Sequence, residues 1–123
     1  MTVYEAVGGE VFFVELVERF YRGVESDALL KPMYPDNDWE GAKRRLHLFL
    51  MQYWSGPTTY SEERGHPRLR ARNLPFSIGK PERDAWMKHM TVALQEVDAP
   101  SEVKAQMLDY FDKVATFMMN RAE

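Results

Sequence analysis

The residues with the clearest chemical character lie in one run, Gly65-His66-Pro67-Arg68-Leu69-Arg70-Ala71-Arg72-Asn73-Leu74-Pro75-Phe76. It holds one of the three histidines, a cluster of arginines and two prolines. Helical apolar patterning ends before it and resumes after it. The run is too basic to be core, yet too hydrophobic at Leu69, Leu74 and Phe76 to be a plain linker. A guanidinium is planar, permanently charged and shaped to pair with carboxylates. A short helical piece presenting arginines beside an apolar wall suits a flat, apolar ligand with anionic groups. The plain alternative for Arg68, Arg70 and Arg72 is a solvated surface.

The rest of the chain must build a pocket around such a ligand. From Glu10 to Val24, Phe13, Leu16, Val17, Phe20 and Val24 fall at helical spacing, opposite a charged face of Glu15, Glu18 and Arg22. Gly9 precedes this helix as a cap, and Tyr21 lies at the edge of its stripe. A buried tyrosine hydroxyl there would need a partner. Asp27 to Asn37 is irregular, because Pro32 and Pro35 push the residues before them away from helix. Asp38 is an N-cap candidate for a helix over Trp39 to Trp54. Its inner face is Ala42, Leu46, Phe49, Leu50 and Tyr53, with Lys43, Arg44 and His47 mostly off it. Ala42 is small among large neighbours, which leaves room for something. Ser55-Gly56-Pro57 ends the helix, and Thr58 to Gly65 reads as polar loop.

Another helix starts at Gly79-Lys80-Pro81, with proline in its first turn. Trp86, Met90, Ala93, Leu94 and Val97 mark its inner side. Ser101 is placed as the cap of a last helix that buries Val103, Met107, Tyr110, Phe111, Val114 and Met118. No window shows strand alternation, so the fold class is all-α. Connections as long as 25–38 and 55–80 are unusual in a compact domain unless they are functional or wrapped on a ligand.

Composition sets the outer limits. The 123 residues fit one domain, 1–123, and 45% hydrophobic content is enough to close a core. A net charge of -3 gives no reason to expect nucleic acid, so the local basic cluster points to a small anionic partner. Without cysteine there is no disulfide framework and no thiolate metal site. No apolar run approaches the ~18 residues of a membrane span, and no signal-peptide layout is seen. The expectation is a cytoplasmic protein; a homodimer is allowed.

Several strings together resemble a known family. Tyr4-Glu5-Ala6-Val7-Gly8-Gly9, Arg19-Phe20-Tyr21, Met33-Tyr34-Pro35, Gln52-Tyr53-Trp54-Ser55-Gly56-Pro57, Thr59-Tyr60-Ser61-Glu62, Arg64-Gly65-His66-Pro67-Arg68-Leu69-Arg70 and Glu82-Arg83-Asp84-Ala85-Trp86 resemble the group II truncated haemoglobins. The likeness runs from about Tyr4 to the last helix. It implies a truncated globin-like two-over-two helical sandwich around haem b, binding O2 or a related small ligand. It implies that Tyr21, Tyr34 and Trp86 face a distal ligand, and that Ala42 and Leu46 lie nearest the iron. It places Tyr60, Arg64, His66, Arg70 and Arg72 around the haem edge and propionates, with Met33, Phe49, Leu69 and Phe76 as apolar walls. Three buried donors in one apolar pocket would suit a bound oxyanion, since preorganised donors act most strongly where charge develops.

One departure outweighs the agreements. The family pattern continues Arg-x-Arg-His, and that histidine is the proximal iron ligand; this chain has Arg70-Ala71-Arg72-Asn73. Imidazole is the usual proximal donor, and a carboxamide is a poor one. His66, seven residues before Asn73, is a candidate substitute ligand with a structural or propionate-facing role as its default. His47 reads as solvated and His89 as a partly buried helix residue. Three readings stay open. The first is a haem protein with altered proximal ligation, able to support peroxidase-like or NO/O2 redox activity. The second is a haem-free globin-fold binding module. The third is an engineered haem protein whose proximal site has been opened.

Overall fold

The structure is a computed structural model, and it describes residues 1–34, 36–65 and 78–120. Six α-helices are seen among them: α1 (Val3–Ala6), α2 (Glu10–Val24), α3 (Trp39–Tyr53), α4 (Thr59–Arg64), α5 (Lys80–Glu96) and α6 (Ser101–Phe117). A 3-10 turn, Lys31–Met33, lies between α2 and α3, and no strand occurs among the described residues. The helix α2 packs on both α3 and α5, and α5 packs on α6. The pair α2/α3 thus lies over the pair α5/α6, the two-over-two sandwich.

Local chemistry explains the helix starts. Thr2 caps α1 through a capping box with Glu5, its hydroxyl accepting the Glu5 N–H at 3.1 Å. Gly9, at φ 78°, supplies a left-handed residue before α2 where a side chain would be strained. The Asp38 carboxylate accepts the Gly41 N–H at 3.0 Å and starts α3. Pro81 sits in the first turn of α5, where Glu82 reaches back to accept the Gly79 N–H at 2.8 Å.

The core is built where these stripes meet. Phe13, Leu16, Val17, Phe20 and Val24 of α2 are fully covered, as are Met90 and Leu94 of α5 and Met107 and Phe111 of α6. Phe13 stands in an aromatic cluster, stacked on Tyr4 and Trp54 and edge-on to Phe12. Ion pairs join the layers at their margins. Lys43 on α3 lies within 3.6 Å of Glu18 on α2, of Glu25 just past its end and of Glu40 on its own helix. Arg19 on α2 meets Glu96 on α5 at 3.3 Å.

Three local expectations are corrected. Thr59–Arg64 is helix, not loop: the Ser61 N–H donates to the Gln52 side chain at 3.0 Å, and Tyr60 is buried. Ser101 is the first helical residue of α6, with Pro100 in the cap position and no side-chain capping bond. On α3, Tyr53 is half out of the core at 53% exposure, whereas Leu48 and Met51 are buried. That helix is covered from more than one side, so a single stripe underestimates what it buries. No helix among the described residues is long and apolar enough to cross a membrane.

Candidate functional site

A cavity of about 350 Å3 opens between the two helical layers, and every described element after α1 contributes to its wall. Tyr21 enters from α2, and Leu30, Met33 and Tyr34 from the segment around the 3-10 turn. The α3 wall is Ala42, Arg45, Leu46, Phe49 and Leu50, and α4 adds Tyr60 and Arg64. Ile78, then Glu82, Arg83 and Trp86 of α5, complete one side. The far side belongs to α6, with Tyr110, Phe111, Val114, Ala115 and Met118. The apolar-stripe residues of α3 and α6 are therefore turned toward an interior space as much as toward other helices.

Four tyrosines line this space, and two of them, Tyr21 and Tyr34, are hydrogen-bonded to each other. The Tyr21 hydroxyl donates to the Tyr34 hydroxyl oxygen at 3.3 Å. This direction leaves the Tyr34 proton available to a further acceptor. Burial pushes the Tyr21 hydroxyl well above its ordinary pKa, reinforced by Tyr34, and burial likewise raises Tyr34. Arg45 pulls both downward without reversing the effect. Both groups are thus neutral O–H donors at neutral pH. Their rings meet edge to face at 5.6 Å, and Trp39 at the start of α3 packs on both, at 6.1 and 5.1 Å. Trp86 is held between Phe20 and Phe111, with ring centroids 5.1 and 5.8 Å away. Its indole N–H makes no hydrogen bond among the described residues.

Cations stand at the same cavity. Among the described residues, the carboxylate nearest Arg45 is the distant one of Asp38, at 3.9 Å. Arg83 is tied down by Asp84, Asp112 and the Thr116 hydroxyl, which fastens α5 to α6. Arg44, one position from Arg45, turns outward and forms a two-point pair with Glu63 on α4 at 2.6 and 2.8 Å.

The structure brings together Tyr21, Met33, Tyr34, Ala42, Leu46, Phe49, Tyr60, Arg64 and Trp86 in one cavity wall. His66, Leu69, Arg70, Arg72, Asn73 and Phe76 lie outside the described residues. Sequence reasoning missed Arg45 and the α6 wall as site residues. Arg45 was detectable three residues after Ala42 on the same face; the α6 residues were recognised as inner but taken for core. His47 is not simply solvated, since its side chain is only 15% exposed and lies 3.5 Å from Glu10. His89 is partly buried as expected, with Nε2 2.7 Å from an Asp27 carboxylate oxygen. Neither histidine lines the cavity.

A family model for bacterial-like globins matches residues 2–120. The chain belongs to the bacterial-like globin family. This globin is 41% identical over 120 residues to group 2 truncated hemoglobin YjbI of Bacillus subtilis, covering 98% of this chain and 89% of that protein. A solved thermostable hemoglobin from Thermobifida fusca superposes with a TM-score of 0.94 at 52% identity, covering 98% of both chains. A solved truncated oxygen-avid haemoglobin from Bacillus subtilis superposes with a TM-score of 0.90 at 40% identity, covering 98% of this chain and 100% of that one.

A globin implies a haem cofactor, and the cavity fits that group in three respects. It is walled by large apolar side chains, it carries neutral hydroxyl donors on one wall, and it has Arg45 beside them for an anionic edge. Among the described residues no imidazole reaches it, and no three His, Cys, Asp or Glu side chains cluster as a metal site.

Proposed function

We propose that this globin is a single-domain haem protein, residues 1–123, that binds O2 or another small ligand with weakened or substituted proximal ligation. The observation that carries the reading is the Tyr21–Tyr34 hydroxyl pair facing, with Trp86, an apolar cavity edged by arginine. Leu46, Phe49, Met33 and Trp86 would flank the porphyrin of haem b, and Arg45 would face its anionic edge, joined from the sequence by Arg70 or Arg72. The bound iron would supply a Lewis-acidic, redox-active centre. The protein's own work is to exclude bulk water and to aim hydroxyl protons at a polar ligand. Such donors are strongest in a dry pocket. Peroxide or NO chemistry fits the same donor set. The oxygen-avid relative supports a diatomic ligand. A cytoplasmic location completes the reading.

Proximal ligation is where this chain departs from its family. Asn73 stands at the ligand position by sequence resemblance. His47 and His89 are occupied with Glu10 and Asp27, which leaves His66 as the one imidazole for that role. The same observation favours a second reading, a haem-free module for another apolar ligand.

The test is haemin titration of the chain followed at the Soret band, with and without imidazole, beside Asn73→His. The proposal expects uptake by the parent, a shift on adding imidazole, and a histidine-type spectrum with slower haem loss in the variant. If the parent already shows histidine ligation and His66→Ala abolishes it, His66 is the ligand. If neither chain takes up haemin, the haem-free module stands instead.

A further inference from the structure

The two walls that carry the polar groups of the cavity are joined by one side-chain pair that the family resemblance does not mention. His89 lies on α5, three residues beyond Trp86. Its Nε2 meets an Asp27 carboxylate oxygen at 2.7 Å, although the two residues are 62 apart in sequence. Both side chains are largely shielded, at 15% and 18% exposure.

Asp27 in turn organises the segment that leads to Tyr34. Its other carboxylate oxygen accepts the Leu29 N–H at 2.9 Å. Its carbonyl accepts the N–H groups of Leu30 and Lys31 at 3.1 and 2.9 Å. The turn continues through Met33 N–H to Leu30 carbonyl and Tyr34 N–H to Lys31 carbonyl, at 3.0 and 2.9 Å. Leu30, Met33 and Tyr34 all line the cavity.

The imidazole has little freedom. A Cβ added to Gly23 of α2 would lie 2.1 Å from its Nδ1, so only a glycine lets the ring pass between α2 and Asp27. The charged residues next to Gly23 in the chain are Arg22 on α2, which is exposed, and Glu25 at the helix end, which faces Lys43 at 3.6 Å. Lys31 is exposed, and Lys88 on α5 adds a weak pull on Asp27. The imidazole hydrogen bond holds the Asp27 carboxyl below its ordinary range, so it is a carboxylate acceptor at neutral pH.

We propose that the His89–Asp27 pair is a latch that positions Tyr34 against Tyr21 and Trp86, making His89 a positioning residue for the ligand bound in the cavity. The proposal rests on the reading that this cavity takes a small polar ligand. A hydrogen bond between an imidazole and a carboxylate is charge-assisted and directional. It fixes the turn of Asp27 to the helix of Trp86, and so fixes the distance between a hydroxyl and an indole that have no direct bond. Without it the turn would keep its own backbone bonds but lose its register on α5.

The test uses His89→Leu, which removes the donor, His89→Gln, which restores an N–H near the Nε2 position, and Asp27→Asn. Ring-to-ring NOEs between Tyr21 and Tyr34 are recorded on the purified chain, and azide dissociation is followed in haem-loaded samples. The latch predicts loss of those NOEs and at least about fivefold faster azide release in His89→Leu. Smaller changes are expected in Asp27→Asn, and near-parent behaviour in His89→Gln. Unchanged NOEs and release in both His89→Leu and Asp27→Asn would overturn it, as would a His89→Gln variant no better than Leu. If His89→Leu does not fold, Asp27→Asn decides alone, and parent-like NOEs there overturn the latch. Should no chain take up haemin, the functional reading fails while the NOE comparison still judges the latch.

Discussion

The direction of the Tyr21–Tyr34 hydrogen bond makes an unequal prediction for two equal-looking substitutions. Tyr21 donates and is 3% exposed; Tyr34 accepts and is less covered. Tyr34→Phe removes the acceptor and leaves the hydroxyl proton of Tyr21, the more deeply covered of the two, without its protein partner. An orphaned buried donor costs about 1–3 kcal/mol. Tyr21→Phe removes the donor, but the Tyr34 hydroxyl still faces a cavity that can hold water. The loss is then that of one ordinary hydrogen bond, about 0.5–1.5 kcal/mol. Removing both hydroxyls leaves two apolar rings of the same shape, and such paired replacement is nearly neutral. The order of stability expected from urea unfolding is therefore parent and double variant together, then Tyr21→Phe, then Tyr34→Phe. At roughly 4 °C per kcal/mol for a domain of this size, the steps are readable in thermal melts too. Contacting residues are expected to be non-additive, and here the coupling must favour the double variant. Equal single costs, or a double variant as unstable as the sum of the singles, would refute the donor assignment and the water-accessible placement of Tyr34.

Other outcomes follow from the same geometry. In haem-loaded chain, Trp86→Phe should speed azide release by about ten- to a hundredfold, the factor for one charge-assisted donor; an unchanged rate removes Trp86 from the donor set. Phe13→Ala should destabilise the fold by about 3–5 kcal/mol in urea, because Phe13 is fully covered within an aromatic cluster. Asp27 has a depressed pKa in the folded chain, so its stabilisation is fully present above its ordinary value of 3.8 and is lost as pH falls through the lower folded value. Asp27→Asn should therefore flatten the acid limb of a stability-against-pH curve below about pH 4, and an unaltered limb would show that the pair contributes nothing there.

The helices were legible in the sequence because their information is local. Apolar residues repeat at helical spacing over Glu10–Val24 and Lys80–Glu96, and the structure covers the stripe on α2 as read. Asp38 and Pro81 announce helix starts for reasons that concern only neighbouring backbone groups. The family strings added the two-over-two arrangement and a set of cavity residues. Nine of these line one space.

What tertiary structure decided was the second partner of each side chain. A stripe says that α6 buries Tyr110, Phe111 and Val114, but not that they face a cavity as well as a neighbouring helix. Spacing on α3 cannot tell that Leu48 and Met51 are covered while Tyr53 stacks on Tyr110 at 4.0 Å and remains half exposed. Among the arginines, Arg44 and Arg45 are adjacent and chemically identical, yet one is spent on Glu63 and the other faces the cavity. His89 shows the limit most plainly. Its helix position was readable, but its partner lies 62 residues away, and a hydrogen bond across that separation exists only once α2 and α5 have packed. Periodicity records which side of an element avoids water. Which atoms meet on that side depends on the crossing of elements, and no single segment carries that information.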